Sequence, residues 1–445
     1  MHATEVFGQY ARAFQHTTLP DPVIHHAKRA VIDWHASLFP GLATAPLAQL
    51  EQVLADDLDR GPARLGNGRA ATAQAAALYN GAAAHAAEVD DSFREAMYHP
   101  GAATIAAALA AGQQAGASGL VFLRALVLGY EVSTRIGVVM GRPHYRFWHN
   151  TGTVGAFGAA AAASGVLQLD AAPFAHALAT AATFASGLQQ AFRMDSMSKP
   201  LHAGRAAEAG LLAAQLAGQR VTGSLDVLDG EAGLGRAMSD GPDWSHAGDT
   251  LGRDFHITRL TFKNHIGCGH TFAAIDGALA LRAAHKLQPA DIRHVQVATY
   301  GPALDIACYE NPQTENEARF SLRFVVATAL VHGSVRLAAY TPERLADPAL
   351  RAMVGRIGAV VDPEIDAAFP GRRSARVEIE THDGRRLVWL QPDRKGDPEL
   401  PLSDEELEGK FLELAAPVIG AGRAQRLLGH LWALDRAPDL HGLAA

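Results

Sequence analysis

The sequence predicts a mostly α protein: a large all-helical domain built from both ends of the chain, with a smaller α+β domain inserted between them. Three observations predict it. Ala- and Gly-rich helical runs fill the N-terminal half. Strand signals are confined to a middle stretch of ordinary domain size. Helical pattern then returns beyond Pro401, where Ser403 followed three residues later by Glu406 forms a capping box. The boundaries read from texture are 1–255 plus 400–445 for the helical domain and 256–399 for the inserted one.

In chain order, Asp21-Pro22 opens a helix to about Ser37, with Val23, Ile24, Ala27, Ala30, Val31 and Trp34 near a 3.6 period and Gly41 at its exit. Further helical runs cover Thr72 to Ala87, Ala102 to Gln114, Gly119 to Gly137, Gly152 to Gly165 and Ala172 to Ala191. Their small side chains imply close helix–helix approach at little entropic cost. Pro200 reads as the first residue of another helix, with Ser198 or Lys199 at its mouth and a buried run from Ala206 to Ala217. Gly218 to Asp254, rich in Gly, Asp and Ser, is the connection to the second domain. There, His294 to Tyr300 and Arg376 to Thr381 read as strands. Asp383-Gly384 joins the latter to Leu387–Gln391 as a hairpin. Helices are expected over Thr271 to His285, Arg319 to His332 and Pro342 to Ile357.

Composition narrows the function. The 445 residues are 48% hydrophobic and 19% charged, the balance of a globular protein with room for two cores. A net charge of -7 leaves no basic excess to neutralise phosphates, so no nucleic-acid partner is expected. Cys268 and Cys308 are the only cysteines, too few for an iron–sulfur cluster or a disulfide framework, and a reducing cytoplasm is the expected location. No signal peptide is read at the N-terminus, and Gly152 to Leu169 has the composition of a packed core helix, so no membrane partner is expected. GxGxxG, Walker A, GxSxG and HExxH patterns are all absent.

Four stretches carry chemistry. Lys199, His202 and Arg205 fall within seven residues at spacings of three, which places His202 and Arg205 on one helix face beside Lys199. Cations at the mouth of a buried helix call for an anion, although a solvated cap reads the residues as well. The run from His85 to His99, with Glu88, Asp90, Asp91 and Ser92, is dense in ionisable groups, and Pro100 puts His99 on a loop before a helix. Its two aspartates suit capping, the orientation of histidines or, with less support, a metal. His149 precedes a Gly/Ala helix whose first-turn N–H groups can receive a carboxylate, or it simply caps that helix. In Phe262-Lys-Asn-His-Ile-Gly-Cys-Gly-His270, the residues His265, Cys268 and His270 lack a fourth zinc ligand. Lys263, His265 and His270 read better as the lip of an anion pocket. Tyr309 is a weaker candidate, because a tyrosine there is more often packed. No metal and no cofactor are expected. Several histidines with Lys and Arg suit a small polycarboxylate: cations stabilise an enediolate formed when a neutral imidazole removes the proton α to a carboxylate.

These motifs in this order resemble the MmgE/PrpD family. The residues that carry the resemblance are Asn80-Gly-Ala-Ala-Ala-His-Ala-Ala-Glu-Val-Asp-Asp-Ser92, His99-Pro100, His149-Asn-Thr-Gly-Thr-Val-Gly155, Ser196-Met-Ser-Lys-Pro-Leu-His-Ala-Gly-Arg-Ala-Ala207, Phe262-Lys263, Cys268-Gly-His270 and Glu317-Ala-Arg-Phe-Ser321. The family includes 2-methylcitrate dehydratase, cis-aconitate decarboxylase and iminodisuccinate epimerase. The resemblance implies that the inserted domain is a lid, that the protein is a homodimer, and that Ser92, His99, His149, Lys199, Lys263 and Tyr309 line a cleft. Glu88 stands where relatives commonly have Asp, and Ser92 where they have Thr. Cys268 stands near a histidine of the decarboxylases, which points towards the epimerase branch. The expected activity is therefore epimerisation of an iminodisuccinate-like substrate, with His99 and one of His149, His265 or His270 as bases on the two faces. Catalytic roles go to His99, His149, Lys199, Lys263 and Tyr309, and substrate binding to Glu88, Asp91, Ser92, His202, Arg205, His265, Cys268 and His270. Dehydration of a 2-methylcitrate-like acid, decarboxylation, and plain polycarboxylate binding are the alternatives.

Overall fold

Small side chains decide how closely the helices of this protein approach one another. The computed structural model describes residues 1–192 and 196–443; the last two residues of the expected helical tail lie outside the described residues. The chain divides into two compact units, Met1–Phe262 with Ser403–Ala445, and Lys263–Leu402.

The first unit contains helices α1 (Ala3–Phe14), α2 (Asp21–Leu42), α3 (Leu47–Val53), α4 (Ala73–Ala86), α5 (Pro100–Ala115), α6 (Gly119–Tyr145), α7 (Asn150–Val166), α8 (Ala171–Phe184) and α9 (Lys199–Gly218). A five-residue helix, Leu234–Met238, and two late helices, Asp404–Ile419 and Ala421–Trp432, also belong to it. α4 starts where Thr72 accepts the N–H of Ala75, and α6 where Ser118 accepts that of Val121. α8 ends at Phe184, short of the expected Ala191, and a 3₁₀ turn occupies Gln189–Phe192. One departure from an all-helical unit is an antiparallel pair of strands, β1 (Leu58–Arg64) and β2 (Ala70–Ala71). β1 reads Leu-Asp-Arg-Gly-Pro-Ala-Arg, with exposed polar residues in its middle, so no alternation betrays it.

α7 is the central helix. It is buried almost all round and packs against α5, α6, α8 and α9. α4 and α9 cross with almost no side chain between them. A Cβ on Gly204 would lie 2.2 Å from the carbonyl oxygen of Leu78, and one on Gly81 would lie 3.0 Å from Cα of Gly204. The late helix Asp404–Ile419 packs on α2. There the fully buried Lys410 ammonium lies 2.5 Å from Oδ1 of Asp33 and donates to the carbonyl of Val89 at 2.9 Å.

The second unit is an α+β layer. Strands β3 (Ile292–Thr299), β4 (Ile357–Val361), β5 (Ala375–Thr381) and β6 (Arg386–Gln391) form one sheet in the order β4-β3-β5-β6. β3 pairs parallel with β4 and antiparallel with β5, and β5–β6 is the expected hairpin, with Gly384 at φ 87 in its turn. Helix Phe272–His285 covers β5 and β6. The helix expected over Pro342 to Ile357 is instead two short ones, Pro342–Leu345 and Pro348–Val354, followed by β4. The break has a local cause: Asp347 caps a new helix by accepting the N–H of Ala349, with Pro348 in its first turn. Among the described residues, no helix is long and apolar enough to cross a membrane.

Candidate active site

α4 ends at Ala86, and the chain then turns through Glu88, whose φ of 60 is left-handed. That turn delivers a run of acidic residues under the N-terminus of α5. His85, in the last turn of α4, is fully buried, and its Nδ1 lies 2.7 Å from Oδ2 of Asp90. His99 is the N-cap residue of α5. Its Nδ1 lies 2.7 Å from the carbonyl of Asp91 and 3.3 Å from the same Oδ2 of Asp90. A carbonyl only accepts, so Nδ1 of His99 carries the proton and Nε2 is the basic nitrogen. His99 keeps 19% of its side chain exposed while Asp90 keeps 1%, so the imidazole is the outward member of the pair.

His149 is the N-cap residue of α7 and is held from behind by its own N–H to the carbonyl of Gly187. Its ring stacks on His85 at 5.4 Å, and its Nδ1 lies 3.0 Å from Nδ1 of His202 on α9. Burial, reinforced by His85, Lys199, His202 and His99, pushes His149 well below the usual imidazole range. His202 is lowered to about 4, chiefly by burial and then by His85 and Lys199. Both are therefore neutral at pH 7, and one ring donates while the other accepts. Lys199, the first residue of α9, forms an ion pair with Glu88, and both keep a little exposure, 18% and 15%. The cation at this helix mouth thus meets an anion of the protein itself. An ammonium has three donors, so Lys199 can hold Glu88 and a substrate carboxylate together.

Several expected binding residues have other duties. Asp91 is enclosed and accepts from the N–H of Gly101 at 3.0 Å and the hydroxyl of Tyr130 at 2.8 Å. Burial, with Asp33 nearby, raises it to about 8. Arg205 does not join His202. It is exposed and pairs with Glu208, one turn further along α9, while the His202 ring turns to His149. Of the N–H groups at the start of α7, those of Gly152 and Thr153 donate to the carbonyl of His149. Ser92 pairs through its backbone with Thr261 and stays half-buried.

The remaining candidates lie in the second unit. Lys263 and Cys268 are buried, and the N–H of Cys268 donates to the carbonyl of Arg319. His265 is buried, with Nε2 2.8 Å from Asp276, and His270 has Nδ1 2.9 Å from the hydroxyl of Tyr300. Each histidine thus commits one ring nitrogen inside the second unit. Tyr309 is 41% exposed rather than packed, and its backbone N–H donates to Phe320. Sequence reasoning placed His85 at the head of the ionisable run but gave it no role of its own; its spacing of five from Asp90 was the available signal.

The MmgE/PrpD N-terminal domain matches residues 5–247, and the MmgE/PrpD C-terminal domain matches residues 265–435, continuing through the second unit into the late helices of the first. The cis-aconitate decarboxylase-like protein oryM of Aspergillus oryzae is 28% identical, over 96% of this chain and 93% of its own length. The cis-aconitate decarboxylases of Mus musculus and Aspergillus terreus are 26% and 25% identical, over 98% and 96% of this chain and 91% of each relative. With family domains matched along most of its length, the chain belongs to the MmgE/PrpD family.

Proposed function

We propose that this protein is a cofactor-independent lyase that acts on a small tricarboxylate of the cis-aconitate type, with His99 moving the proton at carbon. The carrying observation is the commitment of His99 Nδ1 to the carbonyl of Asp91, which leaves Nε2 for the substrate. Loss of a carboxylate as CO₂ leaves an electron pair conjugated through the neighbouring double bond. A proton that Nε2 of His99 has taken from solvent is delivered to the far carbon and ends the reaction. The Lys199 ammonium, against a substrate carboxylate, lowers the energy of the intermediate charge. The decarboxylases among the relatives support this outcome over the epimerisation read from the sequence. Lys263 and Tyr309 belong to the proposal through the family resemblance.

Epimerisation of an imino-dicarboxylate is the second reading. What favours it is that His99 and His149 both pack on His85, giving two imidazoles in one cluster. Proton NMR in deuterated water with cis-aconitate, 2-methylcitrate and iminodisuccinate separates the readings. CO₂ release with deuterium in the product supports the lyase. Deuterium exchange into iminodisuccinate without loss of carbon supports the epimerase. No deuterium in any compound would overturn both and leave a polycarboxylate-binding protein.

A further inference from the structure

Proton transfer by His99 leaves unexplained two deeply buried polar groups beside it. His85 is fully buried and Asp90 nearly so, at 1% exposure. A histidine in this setting is costly: Nε2 of His85 is buried without a hydrogen-bond partner, where an unsatisfied polar atom costs about 1–3 kcal/mol. Its other nitrogen explains why it is there. Oδ2 of Asp90 stands 2.7 Å from Nδ1 of His85 and 3.3 Å from Nδ1 of His99, so one carboxylate oxygen faces both rings. The rings themselves are in contact, with centroids 4.9 Å apart.

We propose that Asp90 and His85 are positioning residues for His99. His85 donates from Nδ1 and holds the Asp90 carboxylate in one orientation. Asp90 in turn holds the His99 ring with Nε2 outward and faces its Nδ1–H with a negative charge whenever that ring carries a second proton. Neither residue touches substrate. The inference rests on His99 as the acid–base residue.

Three variants test it. His85→Leu removes the donor, and Asp90→Asn removes the charge. His85→Asn keeps an N–H at the place of Nδ1 while deleting Nε2. Loss of such a supporting contact should lower kcat about 10- to 100-fold in His85→Leu and Asp90→Asn, with KM within about threefold of wild type. His85→Asn should restore kcat to within about threefold, since the donor is what matters. His85→Asn as impaired as His85→Leu, or His85→Leu as active as wild type, would overturn the pairing. If His99→Ala itself keeps full turnover, the acid–base reading fails instead. Long-range ¹⁵N NMR of the imidazoles provides an arm that needs no substrate: both His85 and His99 should be protonated at Nδ1. Either ring protonated at Nε2 instead would sink the idea. So would a tightly held metal ion whose removal by a chelator abolishes activity, because the same nitrogens would then be ligands.

Discussion

At His99 one ring nitrogen decides the chemistry. With Nδ1 committed to a carbonyl, Nε2 is the atom that exchanges a proton with carbon, and His99→Ala should lower kcat by about two to four orders of magnitude. The partly exposed ring can go without unfolding the protein, so far-ultraviolet circular dichroism should be unchanged; activity and structure lost together would point to a core role. Lys199 behaves differently from the expectation of a cation waiting for its anion. Because it pairs with Glu88, Lys199→Met should destabilise the free protein by about 1 kcal/mol as well as raise KM and lower kcat. Adding Glu88→Gln should return most of the stability and none of the activity, a split that denaturant titration of the two variants would show. His99, His149, Lys199 and His202 were legible because charge and imidazole stand out against Ala and Gly. Glu88 stood out as an acidic residue in its run, but not as the partner of Lys199. Spacing says which side chains share a helix face, whereas a pair separated by more than a hundred residues is created only by the fold.

The crossing of α4 and α9 is the element on which the cluster depends, since it brings His85 and the turn after α4 to Lys199 and His202. A Cβ on Gly204 would meet a backbone carbonyl of α4 at 2.2 Å. Gly204→Ala should therefore cost about 1–3 kcal/mol despite alanine's better helix propensity. It should also impair activity more than an equally destabilising substitution in the second unit, and equal losses would show that the crossing has no special hold on the site. Most helices were readable from their ends: Thr72 before α4, Pro100 in α5, and Ser403 with Glu406 ahead of the late helix. The elements that escaped were those whose partners supply the reason to form. Ile357-Gly-Ala-Val-Val361 has no alternation of its own and becomes β4 because β3 offers it a parallel ladder.

For the molecule as a whole, buried histidines set the response to acid. Burial lowers His26, His35 and His202 to about 4 and His256 to about 3. Between pH 4 and 6.5 the unfolded chain binds protons there that the folded one refuses, so their stability contribution is full above 6.5 and is lost towards pH 4. Asp91 and Glu131 act in the opposite sense. Burial raises them to about 8 and about 7, so the stability they add is full below pH 4 and is lost as pH rises through those values. These histidines, with His149, His144 and His270 lowered in the same sense, outweigh the two carboxyls in the lower window, so stability rises with pH there. Above 6.5 only the carboxyls act. Melting temperature should peak near pH 6.5 and fall on both sides; a steady rise to pH 8 would contradict the assignment.

The contact between Lys410 and the carbonyl of Val89 also has a consequence in time. Ribosomes make this chain from its N-terminus, and the loop holding Glu88, Asp90 and Asp91 is anchored by a residue from its last tenth. A nascent chain has every histidine of the cluster by residue 202, yet lacks the ammonium that neutralises Asp33 and holds the loop until residue 410 has emerged. Catalytic competence should therefore arrive as a late event of synthesis, and a chain ending at Leu402 should be inactive although it retains every residue of the candidate site. Restoring the missing segment as a separate Ser403–Ala445 peptide should recover activity in proportion to the peptide bound.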